Sequence, residues 1–254
     1  METEILRITG TGRTKIKDIV ADEQPLTIDL DGSELVTLLC SPSDIKELSI
    51  GFLYSSGIIR AVGDIGKIVI DGNNSTAYVK LKKKIAGGDM LFKRIYSSGC
   101  GRGIIFYNML DKIPRKKLKK DFYISAVKIM SLMKLFEKKS AVFKKTGGVH
   151  SAGFSPGKGI AVFKEDIGRH NALDKIIGEA LIKNLDFENM IMLTSGRLSS
   201  EIMFKIRRTG VSVIVSRGAP TDQAVKLARE WDLTLAGFVR GGRMNVYSAE
   251  ERII

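Results

Sequence analysis

Two cysteines, two histidines and a set of arginine-bearing glycine loops are the groups in this chain best suited to chemistry near neutral pH. Cys100 lies in Ser97-Ser98-Gly99-Cys100-Gly101-Arg102-Gly103, where small, turn-forming residues on both sides predict an exposed loop. Arg102, two positions on, and Arg94 upstream favour the thiolate. An accessible thiolate attacks sulfur or carbon, so persulfide carriage, acyl transfer and redox work all fit this thiol taken alone. Cys40 ends the apolar run Leu35 to Cys40 and reads as buried and inert.

The other chemistry-bearing segments are turns. Ser195-Gly196-Arg197 and Arg217-Gly218-Ala219-Pro220-Thr221 each set glycine, a hydroxyl and an arginine just ahead of a predicted helix, and Arg240-Gly241-Gly242-Arg243 adds a third turn. Free backbone N–H groups, a helix dipole and a guanidinium together suit a phosphate, and ordinary helix capping with surface arginines is the alternative. None of these turns has the spacing of a P-loop or a dinucleotide fingerprint. His170, within Glu165-Asp166-Ile167-Gly168-Arg169-His170-Asn171, stands at the mouth of a helix beside carboxylates; proton transfer and ordering of the loop both fit it. His150 follows Gly147-Gly148 at the start of a strand and reads first as structural. No cysteine follows position 100, so the paired-cysteine ligand segment of a zinc deaminase is missing and no metal site is expected. No G-x-S-x-G elbow of a serine hydrolase is present.

The elements that must hold these groups can be read from periodicity. Leu26 to Leu30 and Leu35 to Leu39 flank Asp31-Gly32, and Ile68 to Ile70 with Ala77 to Leu81 flank Asp71-Gly72-Asn73-Asn74, both hairpin signals. One helix is predicted between them, starting near Ser41 or Ser43 and ending before Gly57. Ile129, Leu132, Met133 and Phe136 recur at helical intervals and predict a helix from about residue 125 to 136. A hairpin-like pair, Val149 to Phe154 and Ile160 to Phe163, comes next. Then Ala172, Ile176 and Ala180 mark a helix with Asn171 as its expected cap and Asp174 reciprocating. Met190 to Thr194, Val211 to Ser216 and Leu233 to Val239 alternate with helices over Ile202 to Gly210 and from Thr221 onward. A β-α-β-α-β series of this kind implies short parallel crossovers and a three-layer α/β/α domain. Ligands collect past the carboxyl ends of such strands, so the main cavity is expected there, lined by Ser195, Arg197, Arg217, Thr221, Arg240 and Arg243.

A chain of 254 residues, 44% hydrophobic, can bury a sizeable core without staples. It opens METEILRITG, without the basic then apolar pattern of a secretory signal, and a reducing, cytoplasmic home is expected. No apolar run reaches the roughly 18 residues of a membrane span. The net charge of +13 favours an anionic partner, and much of the excess lies in Lys112 to Lys120 and the lysines that follow to Lys145. A solvated face, a docking patch and nucleic-acid contact all fit that run; few aromatics are interleaved to stack on bases, so nucleic acid has little support.

At these same residues the sequence resembles the FdhD/NarQ family. The resemblance runs through CSPSDIKELSIGFLYSSGII at 40 to 59, SGCG at 98 to 101, TGGVHSAG at 146 to 153, EDIGRHNALDKIIG at 165 to 178, TSGRLSSEI at 194 to 202, SRGAPTDQAVKLA at 216 to 228 and LAGFVRGGRMNVYS at 235 to 248. It implies an α/β fold: a small strand-rich N-terminal domain, residues 1–122, and a cytidine-deaminase-like three-layer α/β/α domain, residues 123–254, that has lost the zinc ligands. It implies a cytoplasmic homodimer that accepts persulfide sulfur from a cysteine desulfurase. The sulfur passes to a bound molybdenum bis-guanine-dinucleotide cofactor, GDP-like nucleotides being partial mimics, before formate dehydrogenase receives it. Cys100 takes the persulfide position, and Phe238, Val239, Arg240, Gly241, Gly242 and Arg243 match the cofactor-binding segment, with His150, Asp166 and His170 in support. Family members commonly carry C-G-x-C-G, whereas Gly103 stands at the second cysteine position here. A non-catalytic cofactor chaperone and a basic nucleic-acid binder are the alternatives.

Overall fold

A computed structural model describes residues 1–83, 118 and 121–254. Arg94, Cys100, Arg102 and Gly103, and most of the basic stretch at 112–120, lie outside the described residues.

The chain opens with a hairpin of β1 (Glu2–Thr9) and β2 (Gly12–Ile19), which among the described residues pair only with each other. A four-stranded sheet follows, in the order β4-β3-β6-β5, from β3 (Gln24–Leu30), β4 (Ser33–Cys40), β5 (Ile65–Asp71) and β6 (Thr76–Leu81). Its hairpins turn where the sequence predicts them. Asp31 and Gly32 both take positive φ (54° and 89°), which matches the twist of the flanking strands. Strict alternation in β3 sends Leu26, Ile28 and Leu30 into the core. The helix α1 (Ile45–Ser55) covers that face with Leu48, Phe52 and Leu53. Its cap is Asp44, in the left-handed conformation, just after the expected start.

The second part holds a mixed six-stranded sheet in the order β12-β11-β10-β9-β7-β8. Its strands are β7 (His150–Ser155), β8 (Val162–Asp166), β9 (Ile191–Thr194), β10 (Val213–Ser216), β11 (Thr234–Arg240) and β12 (Arg243–Ser248). β9, β10 and β11 are parallel, while β7, β8 and β12 add antiparallel partners. The edge strand β12 extends the series past Val239, where the sequence reading closes it. Gly241 and Gly242, at φ 60° and 77°, form a two-residue hairpin turn that brings it back.

Helices pack on both faces of this sheet. One face carries α4 (Arg169–Ile182), α5 (Ser200–Thr209) and α6 (Asp222–Glu230), whose apolar sides meet Phe154, Met192, Ile214 and Leu235. The other carries α2 (Ala126–Lys139), followed by the short α3 (Ala141–Thr146). Through Ile129, Leu132, Met133 and Phe136, α2 meets Ile191, Leu193, Val213 and Val215. Adjacent residues of one strand thus serve opposite cores, as a sheet buried on both faces requires.

The two parts join through α1 and α4, which cross with backbones nearly touching. A Cβ on Gly178 would fall 2.7 Å from the Glu47 carbonyl carbon and 2.9 Å from its Cα, and nearer still to its oxygen. A Cβ on Gly51 would meet the Asp174 carbonyl in the same way. Only glycine on both helices permits this approach. Asn171 does not cap α4. Gly168 is the cap, its N–H donating to Asp166 Oδ1 at 2.8 Å, and Asn171 lies in the first turn with its amide on Leu39 O (2.7 Å) and Asp166 Oδ1 (2.9 Å). Asp174 is also drawn elsewhere, accepting from Ser55 Oγ at 2.7 Å and pairing with Lys205.

Candidate functional site

The loops after β9, β10 and β11 are laced into one surface by their own backbones. Arg217 N donates to Thr194 O and Phe238 N to Gly218 O, both at 3.0 Å, and Ser216 Oγ donates to Gly196 O at 2.7 Å. Leu198 N donates to Ala219 O (3.0 Å) and Thr221 N returns to Leu198 O (2.9 Å). A side chain on Gly218 would come within 2.9 Å of Gly196 O, so the glycines that read as phosphate turns also let the loops stack.

Ser195, Arg197, Arg217 and Thr221 lie on these interlinked loops, while Arg240 and Arg243 stand at the β11–β12 turn, past the last β10–β11 pair at Val215 and Ala236. Arg197, Arg240 and Arg243 are exposed. Arg217 is exposed as well, and its Nε lies 2.9 Å from Glu137 on α2. The hydroxyl oxygens have local work: Ser195 Oγ accepts from Ser151 N at 2.9 Å, and Thr221 Oγ1 caps α6 by accepting from Ala224 N at 3.3 Å. Phe238 takes a left-handed φ of 53°, unusual for an aromatic residue, where the β11–β12 register shifts. The Arg240 guanidinium lies over its ring, 5.6 Å from the centroid. Val239 is buried in the α2 core and offers only its backbone.

Behind this surface stand the two histidines. His170 Nε2 lies 3.0 Å from Glu201 Oε2, across the gap from α4 to α5. Burial holds His170 below the usual imidazole range, opposed by the Glu201 carboxylate and reinforced by Lys205 and Arg169. Burial likewise lowers His150, with Arg169, His170 and Arg197 adding like charge. Glu201, in turn, is held below its ordinary range, first by the His170 imidazole beside it. Nothing in the spacing of 170 and 201 announces this contact.

Asp166 is placed differently from its neighbours in the motif. Its side chain is wholly buried, 2.6 Å from the equally buried Lys175 ammonium, and it accepts from Ser41 N at 3.1 Å. Lys175 reaches back to Ser41 O at 3.2 Å. The Asp166 side chain is turned inward, and its carboxylate fastens the β4–α1 link onto the second part of the chain. Cys40 sits in this junction. Burial and the nearby Asp166 carboxylate push its thiol up to about 12. A protonated, inaccessible sulfur fits the inert reading.

Two hollows stand out among the described residues, and neither lies at the strand ends. One of about 240 Å³ is bordered by Phe122, Tyr123, Lys128 and Lys158, and one of about 220 Å³ by Ser41, Asp44, Val142 and Lys164. Neither is bordered by the strand-end arginines, which form an exposed floor past β9, β10 and β11. Among the described residues no group of His, Cys, Asp and Glu could hold a metal ion, and no helix is long and apolar enough to cross a membrane.

Comparison with known proteins adds identity to this geometry. The model of the FdhD/NarQ family matches residues 21–254, beginning just after the β1–β2 hairpin. The sulfur carrier protein FdhD of Bacillus pumilus (strain SAFR-032) is 42% identical over 238 residues, covering 93% of this chain and 90% of that protein. Its namesake in Bacillus subtilis (strain 168) is 40% identical, covering 94% and 92%. A crystal structure assigned as a formate dehydrogenase accessory protein from Desulfotalea psychrophila superposes with a TM-score of 0.80 at 26% identity, over 100% of this chain and 99% of that one.

Proposed function

The chain belongs to the FdhD/NarQ family, and we propose that Cys100 is the residue on which it carries sulfur. It is a sulfur carrier with a sulfurtransferase role in formate dehydrogenase maturation. The observation that supports Cys100 is elimination within the chain: of two thiols, Cys40 is buried and pushed up to about 12. In the step proposed, the Cys100 thiolate attacks the outer sulfur of a donor persulfide. The donor's S–S bond breaks, its cysteine leaves as thiolate, and Cys100 becomes the persulfide with no net oxidation. Releasing that sulfur as sulfide takes two electrons. Gly103 stands where a second loop cysteine would supply them, so an external thiol is the reductant in this reading.

The substrate we propose is the molybdenum bis-guanine-dinucleotide cofactor, its anionic end held by Ser195, Arg197, Arg217, Thr221 and the segment Phe238, Val239, Arg240, Gly241, Gly242 and Arg243. The residues present suit such a group: exposed guanidiniums stand over glycine turns, and Gly241 and Gly242 leave the backbone uncovered. His150 and His170 support the arginine floor from behind, and Asp166 supports it by fixing the loop before α4. The proposed division runs at 1–122 and 123–254, the latter cytidine-deaminase-like without zinc ligands. A cysteine desulfurase as donor, the formate dehydrogenase catalytic subunit as client, a second copy of the chain and a cytoplasmic setting complete the proposal.

The test follows labelled sulfur from cysteine through a desulfurase, with GDP titrations alongside. Cys100→Ala should lose label and client activation while keeping GDP affinity. Arg240→Ala and Arg243→Ala should keep the label and weaken GDP binding. Normal client activation by Cys100→Ala would replace the transferase with a cofactor chaperone, and unchanged GDP affinity in both arginine variants would remove the site.

A further inference from the structure

We propose that the outer face of α2 and α3 is a docking surface for an acidic partner protein in the sulfur relay; the proposal rests on the sulfur-carrier reading and deepens it. The inward side of α2 is spent on the sheet through Ile129, Leu132, Met133 and Phe136. Its outward side shows Lys128, Lys134, Lys138 and Lys139, all exposed. Among them stand Val127, 70% exposed, and Leu135, 45% exposed, about two helical turns apart with the exposed Ser131 between them. The short α3 continues the surface with exposed Lys144 and Lys145 beside Val142 (43%) and Phe143 (41%).

Three features separate this face from an ordinary solvated lysine run. First, among the described residues none of the six lysines is paired with a carboxylate, and the one acid on these helices, Glu137, is turned to Arg217. Among the described residues these lysines have no ion-pair partner, so their charge favours encounter with clustered carboxylates. Second, solubility needs the lysines but not four large apolar side chains left in water among them. Exposed apolar side chains set beside charges are what a protein contact would cover. Third, the two helices are held as one surface. The Glu165 carboxylate accepts from Val142 N (3.0 Å) and Phe143 N (2.9 Å), and Lys144 Nζ donates to Lys138 O at 2.6 Å.

The location also suits a relay. The Glu137–Arg217 pair ties the last turn of α2 to the loop after β10, so a protein seated on this face stands next to the strand-end arginines. An anionic membrane fits less well. A helix lying in a lipid surface needs a broad apolar side segregated from its charges, whereas here lysines are interspersed with the exposed apolar side chains.

The test uses the full chain, with the desulfurase and the formate dehydrogenase catalytic subunit of the same organism titrated separately at low and high salt. Vesicles of phosphatidylglycerol form a third arm. Lys134→Glu with Lys138→Glu should weaken at least one protein complex by about tenfold or more and flatten its salt dependence. Lys134→Gln with Lys138→Gln should give a smaller loss, and Leu135→Ser should weaken the same complex at both salt concentrations. Sulfur loading from a small-molecule persulfide and GDP affinity should match wild type in every variant. Unchanged affinity for both proteins overturns the proposal, and so does lysine-dependent binding to vesicles alone. A wild-type chain that takes no label on Cys100 would instead sink the carrier reading, which the loading arm reports independently of the docking arms.

Discussion

Replacing Gly178 with alanine tests the claim that the two parts of this chain are locked by a glycine-on-glycine helix crossing. In an isolated helix the change would stabilise, since alanine is favoured over glycine by about 1 kcal/mol. Here the new methyl group would stand 2.7 Å from the Glu47 carbonyl carbon, nearer still to its oxygen, and backbone cannot rotate aside as a flexible side chain can. Because the Glu47 oxygen is nearer than its carbon, reaching ordinary contact means parting α1 and α4 by more than about 1 Å, against an interior packed to crystal density. Overpacking of this kind costs about 1–3 kcal/mol or more, and contact with backbone puts Gly178 at the upper end. The separation also strains the buried Ser55–Asp174 hydrogen bond, now 2.7 Å. Subtracting the gain in propensity leaves a net loss of about 2 kcal/mol, a fall in Tm of about 4–8 °C for a chain this size. Thermal and urea melts of Gly178→Ala, Gly51→Ala and Gly72→Ala make the comparison. A Cβ on Gly72 meets nothing within 4 Å, so that variant should melt like wild type. A Gly178→Ala protein as stable as wild type would refute the close crossing.

Stability should fall with acid in two stages. His150 and His170 are both lowered in the folded state, so the unfolded chain binds their protons first, and the stability they confer is complete above the unfolded value of about 6.5 and declines as pH drops through it. Glu201, also lowered, adds a further loss as pH falls below the usual carboxylate range. Melts at about pH 7.5 and pH 5.5 should differ in wild type and much less in His150→Gln/His170→Gln; equal slopes would refute the burial argument. Alkylation with iodoacetamide near pH 8 should label one thiol per folded chain and two in urea, because Cys40 is buried and held at about 12. Recovery of label at Cys40 from folded protein would contradict that. Lys175→Met should destabilise by about 3–5 kcal/mol by stranding a buried Asp166 carboxylate, and adding Asp166→Asn, which removes the charge and keeps an acceptor for Ser41 N and Gly168 N, should restore part of the loss. If the double variant is no better than the single one, the pair is not acting as an isolated charge couple.

Much of this molecule is legible from local pattern. Hairpin turns at Asp31-Gly32 and Asp71-Gly72, the helix over Ile129 to Phe136 and the alternating strands and helices from Met190 to Val239 all follow from residues a few positions apart. The same locality brings Ser195, Arg197, Arg217, Thr221, Arg240 and Arg243 to strand ends, since a parallel series puts every such loop at one edge. Where the reading misses, the deciding partner is distant in sequence. Asn171 has the chemistry of a cap, yet the carbonyl of Leu39 and the carboxylate of Asp166 claim its amide. Asp166 lies among half-buried neighbours in its motif, yet its own side chain is wholly buried, because Lys175 and the backbone of Ser41 offer it more than water does. Gly51 and Gly178 read as ordinary helix residues until two helices from different parts of the chain need their missing side chains. Periodicity and turn chemistry are properties of a segment, so the amino-acid order alone determined the elements and the edge at which they gather. Burial, pairing and the shift of a proton affinity belong to contacts between segments, and those were decided only when tertiary packing removed water from one choice of partner.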